Sequence, residues 1–213
     1  MSKTFKTYFF LLIFGINLVG CQLEERQHNL ISSKLAELVK IEKLYKKENE
    51  AIQELEMKEL EEYGRILSFT EKQAFKRKKT AKHAIELLSA RKEKLKIESN
   101  HLHRSDLVIF ELININIHTR EKKFKKKLDS LILLRKKRIK KYDELNALFL
   151  LAIKNDRGLY EELSKGKVES NRIKKYTKET NNIYKKVIYL SNQMNKYTDS
   201  INRKVKNIYS ITS

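Results

Sequence analysis

The chain holds one thiol in 213 residues, Cys21, and its position implies chemistry more directly than that of any other side chain. Lys3 and Lys6 form a short positive segment, and Phe9 to Ile16 (FFLLIFGI) is an apolar run. That run is short of the roughly 20 apolar residues needed to span a bilayer, so the order reads as an export leader. A thiolate is the side-chain nucleophile most readily alkylated near neutral pH, so the expected chemistry is modification of Cys21 at the end of that leader. A single cysteine also excludes an intramolecular disulfide scaffold and a multi-thiolate metal centre.

The other reactive side chains do not gather into a catalytic pattern. The histidines are His28, His83, His101, His103 and His118. On a helix His101 and His103 point about 200° apart and cannot chelate one ion, and no H-E-x-x-H occurs. The adjacent carboxylates Glu61-Glu62 and Glu161-Glu162 face different sides of a helix and make poor acid–base pairs. G-x-S-x-G, G-x-x-x-x-G-K-[ST] and G-x-G-x-x-G are all absent, and the chain has only five Gly with which to cradle a phosphate. The expectation is a non-enzymatic protein with no metal and no cofactor.

Leu18-Val19-Gly20-Cys21 resembles the lipobox of bacterial lipoproteins, an aliphatic residue, a small or β-branched one, Gly or Ala, then Cys. The resemblance implies that the Cys21 thiol receives a diacylglycerol and that signal peptidase II cuts before it. Residues 1–20 would then be a lipoprotein signal peptide. Residues 21–213 would be a single elongated helical domain, lipid-anchored through Cys21 on the outer, extracytoplasmic face of the cell membrane. Two acyl chains, at about 0.8 kcal/mol per buried CH₂, hold a protein far better than one. The competing reading is an ordinary secretory signal, or an uncleaved anchor, with a coincidental Cys.

What must carry any function beyond the anchor is helical. The chain has no Pro, and few Gly to build the turns of a sandwich, barrel or doubly wound sheet. From Ile173 the residues Tyr176, Thr180, Ile183, Val187, Leu190, Met194, Tyr197, Ile201, Lys204 and Ile208 follow at alternating steps of three and four, a heptad seam. Shorter seams run through Ile31 to Ile52, Ala81 to Ile109 and Phe124 to Ala152. Breaks are expected at Gly64, before capping boxes Ser68/Glu71 or Thr70/Gln73, at Asn155-Asp156-Arg157-Gly158, and at Ser164-Lys165-Gly166. Leu112 to Ile117 alternates like a strand, and with no partner strand nearby it reads as a break between helices. The fold expected is all-α, an elongated antiparallel, coiled-coil-like bundle of about four long helices near 24–63, 70–113, 118–155 and 167–211.

Charge is the remaining signal. The formal net charge is +20, and +18 without Lys3 and Lys6. Between Arg120 and Lys141 the chain carries twelve basic residues against Glu121 and Asp129. Besides Arg120 these are Lys122, Lys123, Lys125, Lys126, Lys127, Arg135, Lys136, Lys137, Arg138, Lys140 and Lys141. A second cluster surrounds Lys76-Arg77-Lys78-Lys79, whereas Glu42 to Glu62 holds eight Glu against four Lys. One reading is a polyanion-binding face for wall teichoic acids, lipoteichoic acids or anionic phospholipid headgroups, acting by salt-sensitive point charge. The other is a solvated helix face with acidic partners on a neighbouring helix. Nucleic acid, the usual inference from such a balance, is opposed by the export leader.

Leu35 to Leu55 (LAELVKIEKLYKKENEAIQEL), Tyr142 to Leu163 (YDELNALFLLAIKNDRGLYEEL) and Tyr184 to Tyr209 (YKKVIYLSNQMNKYTDSINRKVKNIY), in this order after the lipobox, resemble the YkyA-type cell-wall-binding lipoproteins of low-GC Gram-positive bacteria. The resemblance covers most of the chain after Cys21. It implies a lipid-anchored helical protein at the cell wall and supplies no binding residue to carry over. The tract from Arg120 to Lys141 is more basic than the family's mixed-charge pattern. The function expected is wall binding through anionic polymers; the alternative is a helical scaffold that binds a protein partner at the envelope.

Overall fold

The computed structural model describes the backbone of residues 3–119, 121–165 and 169–212, with side chains described between 26 and 208. Arg120, Gly166 and the side chains of Cys21 and Tyr209, all singled out above, lie outside the described residues. Four long helices follow in order: α1 (Lys3–Ser68), α2 (Ala74–Ile117), α3 (Lys122–Leu163) and α4 (Ser170–Thr212). A 3-10 turn, Glu71–Gln73, precedes α2, and no strand occurs among the described residues. The all-α bundle expected from the seams is the fold observed.

Each helix buries one stripe, as its spacing requires. On α2 the stripe is Ala81, Ala84, Leu88, Arg91, Leu95, Glu98, Leu102, Ser105, Val108, Ile109, Leu112 and Asn116. All eleven residues of the α4 seam are buried or half-buried. Three core clusters succeed one another along the bundle, around Leu35, Leu112 and Leu128, then Leu102, Tyr142 and Val187, then Ile66, Leu88 and Leu163. Cross-helix pairs make the neighbours antiparallel: Gln27 reaches His118 and His83 reaches Glu62 at opposite ends of α1–α2.

The packing is uneven around the bundle. α1 lies on α2, α2 on α3 and α3 on α4, but α1 and α4 barely touch. Ala81 and Ala84 sit in the core between α1 and α2 and allow close approach there. Between α1 and α4 stand Tyr45, Met194, Phe149 and Tyr184, which leave a groove open along that side.

Several expected breaks are absent. α1 passes through Gly64, where a side chain would meet nothing within 4 Å, and ends at Ser68. Of the two capping boxes, Thr70/Gln73 is used, with the Thr70 N–H donating to Gln73 Oε1 at 3.0 Å. Leu112 to Ile117 is helical to its end. Asn155-Asp156-Arg157-Gly158, turn-forming by composition, lies inside α3 because tertiary contacts take up its side chains. Asn155 Nδ2 donates to the Tyr176 carbonyl at 2.8 Å, and Asp156 accepts from Thr180 Oγ1 at 2.8 Å. A Cβ at Gly158 would lie 2.8 Å from the Tyr176 ring, so the glycine serves close helix packing.

Candidate functional site

The basic tract of α3 is divided by the period of its helix. Leu128, Leu131, Arg135, Arg138, Tyr142 and Leu145 continue one buried stripe at steps of three and four, so both arginines point into the bundle. Their side chains are 1% and 2% exposed, and both donate through Nη1 to Glu42 Oε1 of α1, Arg138 at 2.7 Å. Arg138 also lies over the Tyr45 ring, 5.1 Å from its centroid. Burial alone would raise the Glu42 carboxyl; the two guanidinium groups together outweigh it and hold Glu42 below the usual carboxylate range. Arg135 and Arg138, candidates for a surface polyanion site by sequence, are therefore occupied core cations.

The lysines of the tract behave differently. Lys122, Lys123, Lys126, Lys136, Lys137 and Lys140 are exposed, and Lys125, Lys127 and Lys141 are half-buried. Lys141 pairs with Glu144 one turn on, at 2.6 Å. No carboxylate lies within ion-pair distance of the other eight among the described residues. The acidic partners of the solvated-face reading are thus not present for them; the eight Glu between Glu42 and Glu62 are used elsewhere or face water.

Glu59 is one of those used elsewhere, in a site the sequence reading missed. The groove between α1 and α4 opens into two adjoining clefts of about 300 and 400 Å³, which share Glu56. On the floor of the first, Arg91 Nη1 donates to Glu59 Oε2 at 2.6 Å and Nη2 donates to Tyr184 Oη at 3.0 Å. Arg91 is 1% exposed, and its Nε has no partner among the described residues. Tyr160 Oη donates to Glu59 Oε1 at 3.3 Å, and Tyr63, Leu60, Leu159 and Asn181 complete the walls. The second cleft is lined by Asn49, Gln53, Asn195, Asn202 and Thr198 above Arg138 and Tyr45. Amides, hydroxyls and tyrosine faces in a groove of this size can hold a small polar ligand by hydrogen bonds and stacking.

The electrostatics of that floor have a consequence for stability. Burial pushes the Glu59 carboxyl up to about 7; Arg91 opposes the shift, and Asp156 and Glu56 add to it. Asp156 is raised too, chiefly by burial. An acid whose folded pKa lies above its unfolded value binds more protons in the folded state, so its contribution to stability falls as pH rises between the two. The melting temperature should therefore decline from about pH 4.5 to pH 7, and Glu59→Gln, which keeps a polar side chain without titrating, should flatten that decline. A thermal-melt series across this window checks both, and an unchanged slope in the variant would remove Glu59 as its source.

The signal for these inward-facing charges, buried or half-buried, was in the spacing. Arg91 stands between Leu88 and Leu95, Glu42 between Leu38 and Tyr45, and Arg135 and Arg138 between Leu131 and Tyr142, all at seam positions. Three of the histidines make ordinary contacts: His28 lies tilted against the Phe124 ring, His83 meets Glu62 at 3.1 Å, and His103 meets Asp143 at 2.9 Å.

Comparison with known proteins places this bundle. A family model described as "Putative cell-wall binding lipoprotein", YkyA, matches residues 26–211, a range that reaches all four helices. The chain belongs to the YkyA family. It is 24% identical to the lipoprotein YkyA of Bacillus subtilis (strain 168) over 192 residues, covering 90% of this chain and 86% of that one. No solved structure matches. The YkyA family is described by binding and not by catalysis, and among the described residues no helix is long and apolar enough to cross a membrane.

Proposed function

We propose that this YkyA-family protein is anchored to the outer face of the cell membrane by a diacylglycerol on Cys21, after removal of residues 1–20, and binds anionic polymers of the envelope without catalysing a reaction. The observation that carries the binding reading is the set of eight lysines on α3, Lys122, Lys123, Lys125, Lys126, Lys127, Lys136, Lys137 and Lys140, with no carboxylate partner among the described residues. Cationic side chains already neutralised by neighbours release no counterions from a polymer; unpaired ones do. Six of the eight are exposed along one helix, so an extended polyanion can meet several at once. Arg135 and Arg138 take no part, because Glu42 holds them in the core.

Replacing Lys122, Lys123, Lys126, Lys136, Lys137 and Lys140 with Gln should leave the helix content unchanged and weaken retention on purified cell wall at low salt. The salt slope should fall with the number of contacts removed, by up to about 0.9 per phosphate neutralised on a duplex-like polymer and less on a flexible one. Retention and slope equal to the parent's would end the polyanion reading. A second reading, a scaffold for a protein partner, is favoured by the open groove between α1 and α4, the one side of the bundle where two helices do not close on each other. Capture of one protein that survives high salt and is lost on filling the groove, by Asn195→Trp for example, would support that reading over the first.

A further inference from the structure

The polyanion nearest the lysines is set by where the tether leaves the bundle. Gln27 Nε2 donates to the His118 carbonyl at 3.2 Å, and the His28 ring lies tilted against Phe124 with centroids 4.9 Å apart. The Gln27–His28 level of α1, the end of α2 and the start of α3 therefore lie together. Cys21 is six residues before Gln27, which spans about 9 Å as helix and about 20 Å fully extended. An anchor at Cys21 thus keeps the corner between α2 and α3 about one Debye length from the membrane surface where the segment is helical, and within about two and a half at full extension, at physiological salt.

That corner has the composition of a membrane-surface element. Lys122, Lys123 and Lys126 are exposed on α3, and Arg203 and Lys206 are exposed near the adjacent end of α4. Leu107, Phe110 and Ile117 recur along the outer face of α2, each more than 60% exposed, where they add nothing to the core. Asn116 bonds Asp129 and His103 bonds Asp143, a register that sets Leu133, 54% exposed, level with residues between Phe110 and Ile117. Apolar side chains beside unpaired lysines bind an anionic bilayer by both terms at once, and a lipid chain close by supplies the second signal that stable anchoring needs.

We infer that the α2–α3 corner docks on the membrane that holds the lipid anchor, with Lys122, Lys123 and Lys126 on anionic phospholipid headgroups and Phe110, Ile117 and Leu133 in the interface, so that the end of the bundle carrying Phe75 is held off the surface. This rests on the reading of Cys21 as the lipidated residue and deepens the polyanion reading by naming the polyanion. The opposite end supplies an internal control. Phe75 is 82% exposed beside Lys72, Lys76, Lys78 and Lys79, a similar composition, but it lies near the other end of helices about 65 Å long. Composition alone would bind both ends; the tether selects one.

The chain has no Trp, so Phe110→Trp and Phe75→Trp each introduce a single reporter at an exposed aromatic position. The processed protein, with the acyl group on Cys21 verified by mass, would be reconstituted into vesicles of brominated phosphatidylglycerol and, separately, of brominated phosphatidylcholine. The expected result is loss of fluorescence for Phe110→Trp and none for Phe75→Trp in phosphatidylglycerol. The loss should be smaller in phosphatidylcholine and in a Lys122→Gln, Lys123→Gln, Lys126→Gln background. An acylated, vesicle-bound chain with no quenching at position 110 overturns the docking, and equal quenching at both positions overturns it in favour of a bundle lying flat. If position 110 is dark to the lipid while wall retention still depends on the lysines, docking fails and polyanion binding stands. A chain without an acyl group on Cys21 removes the anchor reading and the docking with it.

Discussion

Replacing Glu42 with leucine should lower the melting temperature by about 10 °C. The substitution leaves Arg135 and Arg138 inside the bundle, 1% and 2% exposed, with the carboxylate that both of them reach now gone. Stranding a buried charge costs about 3–5 kcal/mol, far more than the pair contributes when intact. For a domain of this size each kcal/mol moves the transition by roughly 2–4 °C. The same principle predicts the rescue: Glu42→Leu combined with Arg135→Met and Arg138→Met should recover most of the loss, because apolar residues of similar volume need no counterion. The nearby Glu98, which accepts from Tyr142 Oη at 2.9 Å and Asn49 Nδ2 at 3.0 Å, is left intact in every variant. Thermal melts of the single and triple variants decide it. A single variant as stable as the parent would mean that water reaches the arginines and that they are not core residues.

Cys21→Ser is the substitution with the largest expected effect in the cell and the smallest on the fold. A serine hydroxyl is not alkylated as a thiolate is, so the variant should take up no labelled fatty acid and either keep its leader or leave the membrane fraction. For variant freed of residues 1–20 the change in partition should be nearly complete, since even one acyl chain gives an association constant of only about 10⁴ M⁻¹ and here both chains are lost. Stability should not move, because among the described residues of α1 the first buried one is Ile31, ten residues beyond the cysteine. Variant that is shed should still bind cell wall at low salt through its α3 lysines, which separates the anchor from the ligand site. A processed variant that stays in the membrane would remove the lipoprotein role from Cys21.

Much of the bundle was legible because helical period is local. The seam from Ile173 to Ile208 needs no knowledge of its partner to announce a buried face, and all of it is buried or half-buried. The expected turn at Asn155 to Gly158 failed for the converse reason. Its residues break helices when their side chains compete for their own backbone, and here Tyr176 and Thr180 of α4 engage Asn155 and Asp156 instead. Charge was read least well. A run such as Arg135-Lys136-Lys137-Arg138 suggests solvent as a run, yet residues one apart face different ways, and only the helix phase separates the two buried arginines from the two exposed lysines.

What the sequence alone determined is the helical class, the four helices and the single cysteine, since each depends on residue type and spacing within one segment. The tertiary structure alone decided which charges are free. Whether a lysine or an arginine meets a carboxylate depends on how α1, α2, α3 and α4 are set side by side, and Glu42 and Arg138 are 96 residues apart in the chain but 2.7 Å apart in the bundle. The groove between α1 and α4 arises in the same way, because it is bounded by side chains from all four helices and belongs to none of them.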